Sequence, residues 1–293
     1  MTRRTVLTTM AALAAGTRRH CLMAQSGPVF KTSVHLVELY VTVVDEHGRY
    51  IDGLDQTKFE IRDEGSPQPI VSFGGISDPL SCAVLLDTTG SMQQVLPQVR
   101  SSILEFIDAL GESDAIAICT FDTRLTIRQD FTTDKVAARR AVMRTRAAGS
   151  TALFDALAQT AHEIAPRAGK KAIVVFSDGE DNASALNASA AGKSLRKIGV
   201  PVYTIAEGEA RASKKLTEIL RDIARTTGGT ASMVNKPSDI DAIFENISQD
   251  LRHSYLLVYK APAVTESRWR TIEVALRESR KYRIRAKEGY FPD

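Results

Sequence analysis

Between residues 33 and 76 the apolar and polar positions alternate. Val37, Leu39, Val41 and Val43 fall on one face, and Glu38, Tyr40 and Thr42 on the other. The turn DEHG follows, then Phe59 and Ile61 alternate with Lys58, Glu60 and Arg62 before a second turn, DEGSPQP. This pattern predicts an antiparallel segment of about four short strands. From residue 80 to residue 250 the period changes. Apolar runs at Cys82–Leu86, Ala115–Phe121, Leu125–Phe131, Lys171–Phe176, Val200–Ala206 and Thr230–Val234 read as buried strands. Val95, Val99, Ile103, Phe106, Ile107 and Leu110 recur at helical spacing, and further helices are predicted over about 134–146, 152–165, 187–198, 214–227 and 238–252. Strand–helix alternation of this kind gives a mostly parallel, doubly wound α/β sheet of six strands covered on both faces. Beyond residue 254 alternation returns, with Ile272, Val274 and Leu276 set against Thr271, Glu273 and Ala275, and Tyr282, Ile284 and Ala286 against Arg283, Arg285 and Lys287.

Neither terminal β segment is large enough to stand alone. The expected organisation is a leader at 1–24, one part of a small β-sandwich at 29–77, an inserted α/β domain at 78–252 and the second part of the sandwich at 253–293. The trio Arg283, Arg285 and Lys287 is expected to form a solvated strand face. No linker or repeat separates the regions, which favours a compact two-lobed molecule.

The first residues read as an export signal. Arg3 and Arg4 precede a short apolar stretch, Val6–Gly16, and Ala24 offers a small residue before a cleavage point. TRRTVL also resembles a twin-arginine signal, so a periplasmic or extracellular location is expected. No run of eighteen or more apolar residues follows, so no transmembrane segment is expected in the mature chain. The net charge of +3 falls to −1 when the leader takes Arg3, Arg4, Arg18 and Arg19 with it. The basic balance therefore belongs to the leader, and no nucleic-acid partner is indicated. Hydrophobic residues make up 43% and charged residues 25%, ordinary for a globular protein. Cys82 and Cys119 fall in core strands and are expected as buried thiols.

The chemistry concentrates at strand ends. AVLLDTTGSM, residues 83–92, is an apolar strand that stops in Asp87, Thr89 and Ser91. AIVVFSDGED ends similarly at Asp178. In open α/β sheets ligands bind beyond the carboxyl ends of the strands. Two carboxylates facing each other there at about 5 Å repel by roughly 3 kcal/mol at an effective dielectric near 20. No lysine or arginine follows either strand directly, so a cation is the economical partner. Thr89 and Ser91 can turn their hydroxyls to one point, and Thr151 in AAGSTALFDAL adds a third at a helix start. Hydroxyls and carboxylates are hard ligands suited to Mg²⁺, Mn²⁺ or Ca²⁺. Asp122, which ends the neighbouring strand, and Asp181 are candidates for supporting positions behind the ligands. Glu180 and Asp181 also fit plain solvated acids.

D-x-[ST]-x-S after an apolar strand, the stretch GSTALFDAL, and the later FSDGED together resemble a von Willebrand factor type A domain, over residues 80–250. They match that family's metal-ion-dependent adhesion site. The resemblance implies Thr89 and Ser91 as direct ligands, Thr151 as a direct or water-mediated one, and Asp87 and Asp178 acting largely through water. It departs at Thr89, where the family usually has serine. The flanking segments resemble a bacterial subfamily of exported von Willebrand A-related proteins of the acidobacterial type. The implied function is divalent-cation-dependent adhesion, completed by an Asp or Glu carboxylate of a partner protein. One alternative is an envelope scaffold with a purely structural metal.

An enzyme is the other alternative, and the residues argue against it. A phosphatase with Asp87 as nucleophile wants a second aspartate where Thr89 stands. A serine hydrolase wants G-x-S-x-G, and TTGSMQQ is not that motif.

Overall fold

The computed structural model describes residues 35–147, 149–264, 267–278 and 281–292. The expected leader, with Cys21 and its arginines, lies outside the described residues.

The chain opens with β1 (Leu36–Val44), β2 (Phe59–Asp63), β3 (Ser66–Gln68) and β4 (Ile70–Gly74). It continues through β5 (Leu80–Asp87), α1 (Leu96–Ala109), β6 (Ala115–Phe121), β7 (Leu125–Thr132), α2 (Lys135–Met143), α3 (Leu153–Ile164) and β8 (Lys170–Ser177). Next come α4 (Ala188–Ile198), β9 (Val202–Ala206), α5 (Gly208–Ala212), α6 (Lys214–Thr227), β10 (Ala231–Met233) and α7 (Asp239–Arg252). It returns to β with β11 (Ser254–Lys260), β12 (Arg270–Leu276), β13 (Arg283–Arg285) and β14 (Gly289–Tyr290).

Six strands form the central sheet in the order β10-β9-β8-β5-β6-β7, parallel except for the hairpin partner β7 at the edge. Every residue of β5 and β8 is buried, as strands covered on both faces must be. One face packs against α1, α2 and α7 through Val99, Ile103, Phe106, Val142 and Phe244. The other packs against α3, α4 and α6 through Leu153, Leu157, Leu195, Leu216 and Leu220. Cys82 belongs to the first core and Cys119 to the second, so the two free thiols sit on opposite faces of the sheet.

Helix ends follow local chemistry. Asp134 accepts hydrogen bonds from the Val136 and Ala137 amides at the start of α2. Gly199 and Gly228 adopt the left-handed conformation that stops α4 and α6. Helix α2 is shorter than the pattern suggests. The Thr145 hydroxyl donates to the Val142 carbonyl at 2.8 Å and accepts from Arg100 Nε at 3.0 Å, holding the chain outside the helix.

The flanks pair across the whole chain. Strand β1 lies between β11 and β13, with β4 beyond β11. Strand β12 lies between β2 and β14, with β3 beyond β2. The sandwich built from both ends of the chain is therefore present, and the α/β domain is inserted between β4 and β11. Val37, Leu39, Val41 and Val43 fill its core with Phe59, Ile61, Tyr255 and Leu257. On the opposite face of the β1–β11 sheet Tyr40, Leu256 and Val258 are buried as well. Lys171 of the central sheet reaches Glu38 of β1 at 3.0 Å.

A buried polar knot joins the two sheets. The Asp63 carboxylate, fully buried on β2, accepts from Tyr259 Oη and Tyr290 Oη at 2.9 Å each and from Arg270 Nε at 2.8 Å. Arg270 Nη2 adds a contact at 2.6 Å.

The expectation of a solvated face at Arg283, Arg285 and Lys287 fails. Arg283 is exposed, but Arg285 pairs with Asp250 at the end of α7 and Lys287 is buried. Strand β13 lasts only three residues, so the alternation predicted from its sequence ends where the chain turns inward over Gly199.

Candidate metal centre

Strands β5 and β8 are parallel neighbours with Leu86 opposite Phe176, so Asp87 and Ser177 emerge side by side and Asp178 follows immediately. Strand β6 lies on the other side of β5, which makes the junction of β5 with β8 the point where strand order reverses.

The loop after β5 is anchored on both sides. The Thr88 amide donates to the Phe121 carbonyl at 2.9 Å and its hydroxyl to the same oxygen at 3.1 Å. Met92 is fully buried below the short turn Gly90–Gln93. Between these anchors the oxygens converge. Thr89 Oγ1 and Ser91 Oγ are 3.0 Å apart. Ser91 Oγ donates to Asp178 Oδ1 at 2.9 Å. Asp87 Oδ1 accepts from the Thr89 amide at 3.0 Å, and Oδ2 accepts from the Ser177 hydroxyl at 2.8 Å. Asp87, Thr89 and Asp178 are buried, whereas Ser91 is exposed at the mouth.

Thr151 arrives from the α3 side. Its amide donates to Asn182 Oδ1 at 3.0 Å, and its carbonyl accepts from the Asn182 and Ala183 amides at 2.9 and 3.1 Å. A Cβ placed on Gly179 would lie 3.2 Å from Thr151 Oγ1, so the missing side chain after Asp178 is what lets this hydroxyl approach. Gly149, with φ +95°, packs so closely on Asp122 that a Cβ there would meet the Asp122 Cβ at 2.8 Å. Asp122 itself holds the loop through its carbonyl, which accepts from the Ala152 amide at 2.8 Å. Its carboxylate accepts from Thr123 Oγ1 and the Arg124 amide. Asp181 faces the start of α3, accepting from the Phe154 amide at 3.0 Å and the Ser184 hydroxyl at 2.6 Å. Asp155 binds the Ala185 and Leu186 amides at 2.8 Å each. The structure thus brings Asp87, Thr89, Ser91 and Asp178 into one connected cluster with Thr151 against its edge. Asp122 and Asp181 fasten the loops around it.

Electrostatically the cluster is under-compensated. Burial, then the neighbouring Asp87 charge, raise the Asp178 carboxyl from its ordinary value to about 6, against the Ser91 hydrogen bond that lowers it. Burial raises Asp87 as well, partly offset by its bonds to Thr89 and Ser177. Among the described residues no lysine or arginine bonds either carboxylate. Glu207, just past the end of β9, adds further negative charge toward Asp178. Glu207 and the orienting bond from Ser177 carry no motif in the sequence. Their signal was position at the same sheet edge, one residue beyond β9 and one before Asp178. Two acids and three neutral hydroxyls with no basic partner fit a hard divalent cation. Among the described residues, no group of three or more His, Cys, Asp or Glu side chains is placed to hold a metal. Any cation here would therefore rest on the hydroxyls as much as on the acids.

The buried thiols have no part in this chemistry, since burial pushes Cys119 up to about 12. His253 is engaged with Asp52 at 2.7 Å and His35 stacks on Tyr290, both in the sandwich region.

Comparison with known proteins agrees with this architecture. An uncharacterized protein of Synechocystis sp. (strain ATCC 27184 / PCC 6803 / Kazusa) is 28% identical over 198 residues, covering 63% of this chain and 46% of that protein. The chain thus matches less than half the length of that relative. A von Willebrand factor type A structure from Catenulispora acidiphila has a TM-score of 0.52 at 13% identity, covering 89% of this chain and 75% of that one. Proximal thread matrix protein 1 from the mussel byssus has a TM-score of 0.53 at 17% identity, covering 65% and 51%. A D319A mutant of the PilB minor pilin from Streptococcus sanguinis has a TM-score of 0.51 at 12% identity, covering 74% and 88%. At these identities the structures speak for the fold. The sequence profile of the von Willebrand factor type A domain matches residues 82–246, more than half of the 293. On that match, the chain belongs to the von Willebrand factor type A domain family.

Proposed function

We propose that this chain is a non-enzymatic protein-binding module that engages its partner through a divalent cation held by Asp87, Thr89, Ser91, Thr151 and Asp178. The observation that carries this reading is the pair of buried acids, Asp87 and Asp178, tied to a hydroxyl chain with no basic partner among the described residues. Neutral hydroxyls donate little charge, so a cation in this set stays electrophilic. Ser91 stands exposed at the mouth, on the side where an Asp or Glu carboxylate of a partner could complete the coordination. Magnesium is the first candidate, with Mn²⁺ and Ca²⁺ sharing its preference for oxygen. Among the described residues no helix is long and apolar enough to cross a membrane. Membership of the exported bacterial subfamily, and a periplasmic or extracellular setting, belong to the same proposal. They rest on the leader and the flanking segments.

The test is calorimetric titration of the purified chain with Mg²⁺, Mn²⁺ and Ca²⁺, alongside retention of envelope proteins with and without chelator. Metal binding that is lost in Asp87→Ala, with chelator-sensitive retention restored by metal only in the wild type, is expected. Metal binding and a metal-dependent melting shift without metal-dependent retention would favour an envelope scaffold with a structural metal. Full retention in excess chelator removes the cation from the account.

A further inference from the structure

Charge is spread unevenly along the inserted domain. Residues 124–146 carry six arginines and one lysine against two aspartates, an excess of five positive charges. Without its first 24 residues the whole chain carries −1, so the rest of it is acidic on balance. The basic stretch forms β7 and α2, at the edge of the central sheet where β7 pairs with β6 alone. A groove of about 380 Å³ opens between them. Arg128 of β7, Arg140 of α2 and Arg144 just past its end line it with Thr126, Ile127 and Gln129, and none of its lining residues is an acid.

The other charges of the stretch are largely occupied. Arg139 pairs with Asp108 at 2.7 Å, and Lys135 Nζ donates to the Asp108 carbonyl at 3.1 Å. Asp134 caps α2, and Asp130 accepts from the Phe131 amide at 2.7 Å. The three groove arginines stand exposed, and among the described residues none of them is in an ion pair. The one hydrogen bond of their side chains runs from Arg128 Nε to Thr120 Oγ1 at 2.9 Å. The β6–β7 register slips between Ile127 and Gln129, so Arg128 is a bulged residue, at a place where strands re-aim a side chain. Ile127 is 44% exposed in the groove, and Val136 and Met143 of α2 are 63% and 58% exposed. Val136, Arg140 and Met143 recur at i, i+4 and i+7, so they share the outward stripe of α2.

A helix C-terminus attracts cations, which suits Arg140 and Arg144. A charge guards an edge strand, which suits Arg128. Neither effect accounts for the three meeting around one acid-free groove, with large apolar side chains left in water beside them. Guanidinium forks match carboxylates two oxygens at a time. The edge of β7 also offers the backbone groups that turn away from β6, and an extended chain is the form that meets them.

We propose that this groove docks an acidic, extended segment of a partner protein, with Arg128, Arg140 and Arg144 taking its carboxylates and Ile127 an apolar side chain beside them. It is a second surface, built from residues other than those of the candidate metal centre, and it stands or falls independently of any cation.

The test is fluorescence anisotropy of the full chain in metal-free buffer, with a labelled peptide that alternates Glu with Val and Thr. The comparison probes are the same peptide with Gln in place of Glu and a single-stranded DNA of equal charge. Saturable binding of the Glu peptide is expected, weakening from about 50 to about 300 mM salt. Arg140→Gln and Arg144→Gln, at exposed positions, should each lower the affinity roughly two- to fivefold, and both together with Arg128→Gln about tenfold or more. The two single variants decide the matter if the triple variant does not fold. No saturable binding, equal binding of the Gln peptide, equal or tighter binding of the DNA, or unchanged affinity in the folded variants overturns the proposal.

Discussion

Replacing Asp178 by asparagine should change stability in opposite directions with and without metal. Asparagine keeps an acceptor for Ser91 Oγ, which donates to Asp178 Oδ1 at 2.9 Å, but removes the charge that faces Asp87. The rise of the Asp178 carboxyl from 3.8 to about 6 reflects burial and then Asp87. At 1.36 kcal/mol per pH unit this is at most about 3 kcal/mol of penalty on the ionised form, and solvent at the mouth brings it nearer 1–2 kcal/mol. The sign follows from proton linkage. Between pH 4 and pH 6 the unfolded chain ionises this group before the folded chain does, so the metal-free wild type loses stability as pH rises through that window. Above it the full penalty persists. In excess chelator at pH 8, Asp178→Asn should therefore melt higher than the wild type, by roughly 2–6 °C on the usual scaling. Its stability should also vary less between pH 4 and pH 6. With magnesium at a hundredfold excess over its dissociation constant, the wild type should gain about 2.7 kcal/mol and the variant little, inverting the order. Differential scanning calorimetry in both buffers reads the effect directly. A variant less stable than the wild type in chelator, or equal stabilisation of both by magnesium, refutes the reasoning.

Asp63→Ala should destabilise the chain by roughly 3–5 kcal/mol, because it leaves the Arg270 charge and two tyrosine hydroxyls without their acceptor inside the sandwich. Urea unfolding measures this, and a loss below 1 kcal/mol would mean that water or a neighbour replaces the carboxylate. Ser177→Ala, which removes the 2.8 Å bond orienting Asp87, should weaken Mg²⁺ or Mn²⁺ binding by roughly 10–100-fold while leaving the fold intact. Unchanged metal affinity in that variant would show that Asp87 holds its position without the serine.

Much of the fold was legible because burial on two faces and on one face leave different signatures. Strands β5, β6 and β8 read as continuous apolar runs, β1 as an alternation, and α6 appears over the very span its spacing indicates. Asp87 and Asp178 are legible on one edge because each directly follows an apolar strand. Three features were not legible. The short helix α5 has too few residues to show a period. Lys287 continues an apparent polar alternation, yet it is buried because its strand has already ended. The bonds of Ser177 to Asp87 and of Asn182 to Thr151 depend on distances between loops that no local pattern encodes.

Strand β1 has both of its sheet neighbours, β11 and β13, beyond the inserted region, whereas each strand of the central sheet finds its partners within that region. During synthesis the inserted region can close by short-range pairing while β1 stays unmated until β11, about two hundred residues later, has emerged. For most of that time an apolar ribbon, LVELYVTVV, is open to the wrong neighbour. Nascent chains cut short before β11 should be held by chaperones or clump, even though nothing in their central sheet is missing.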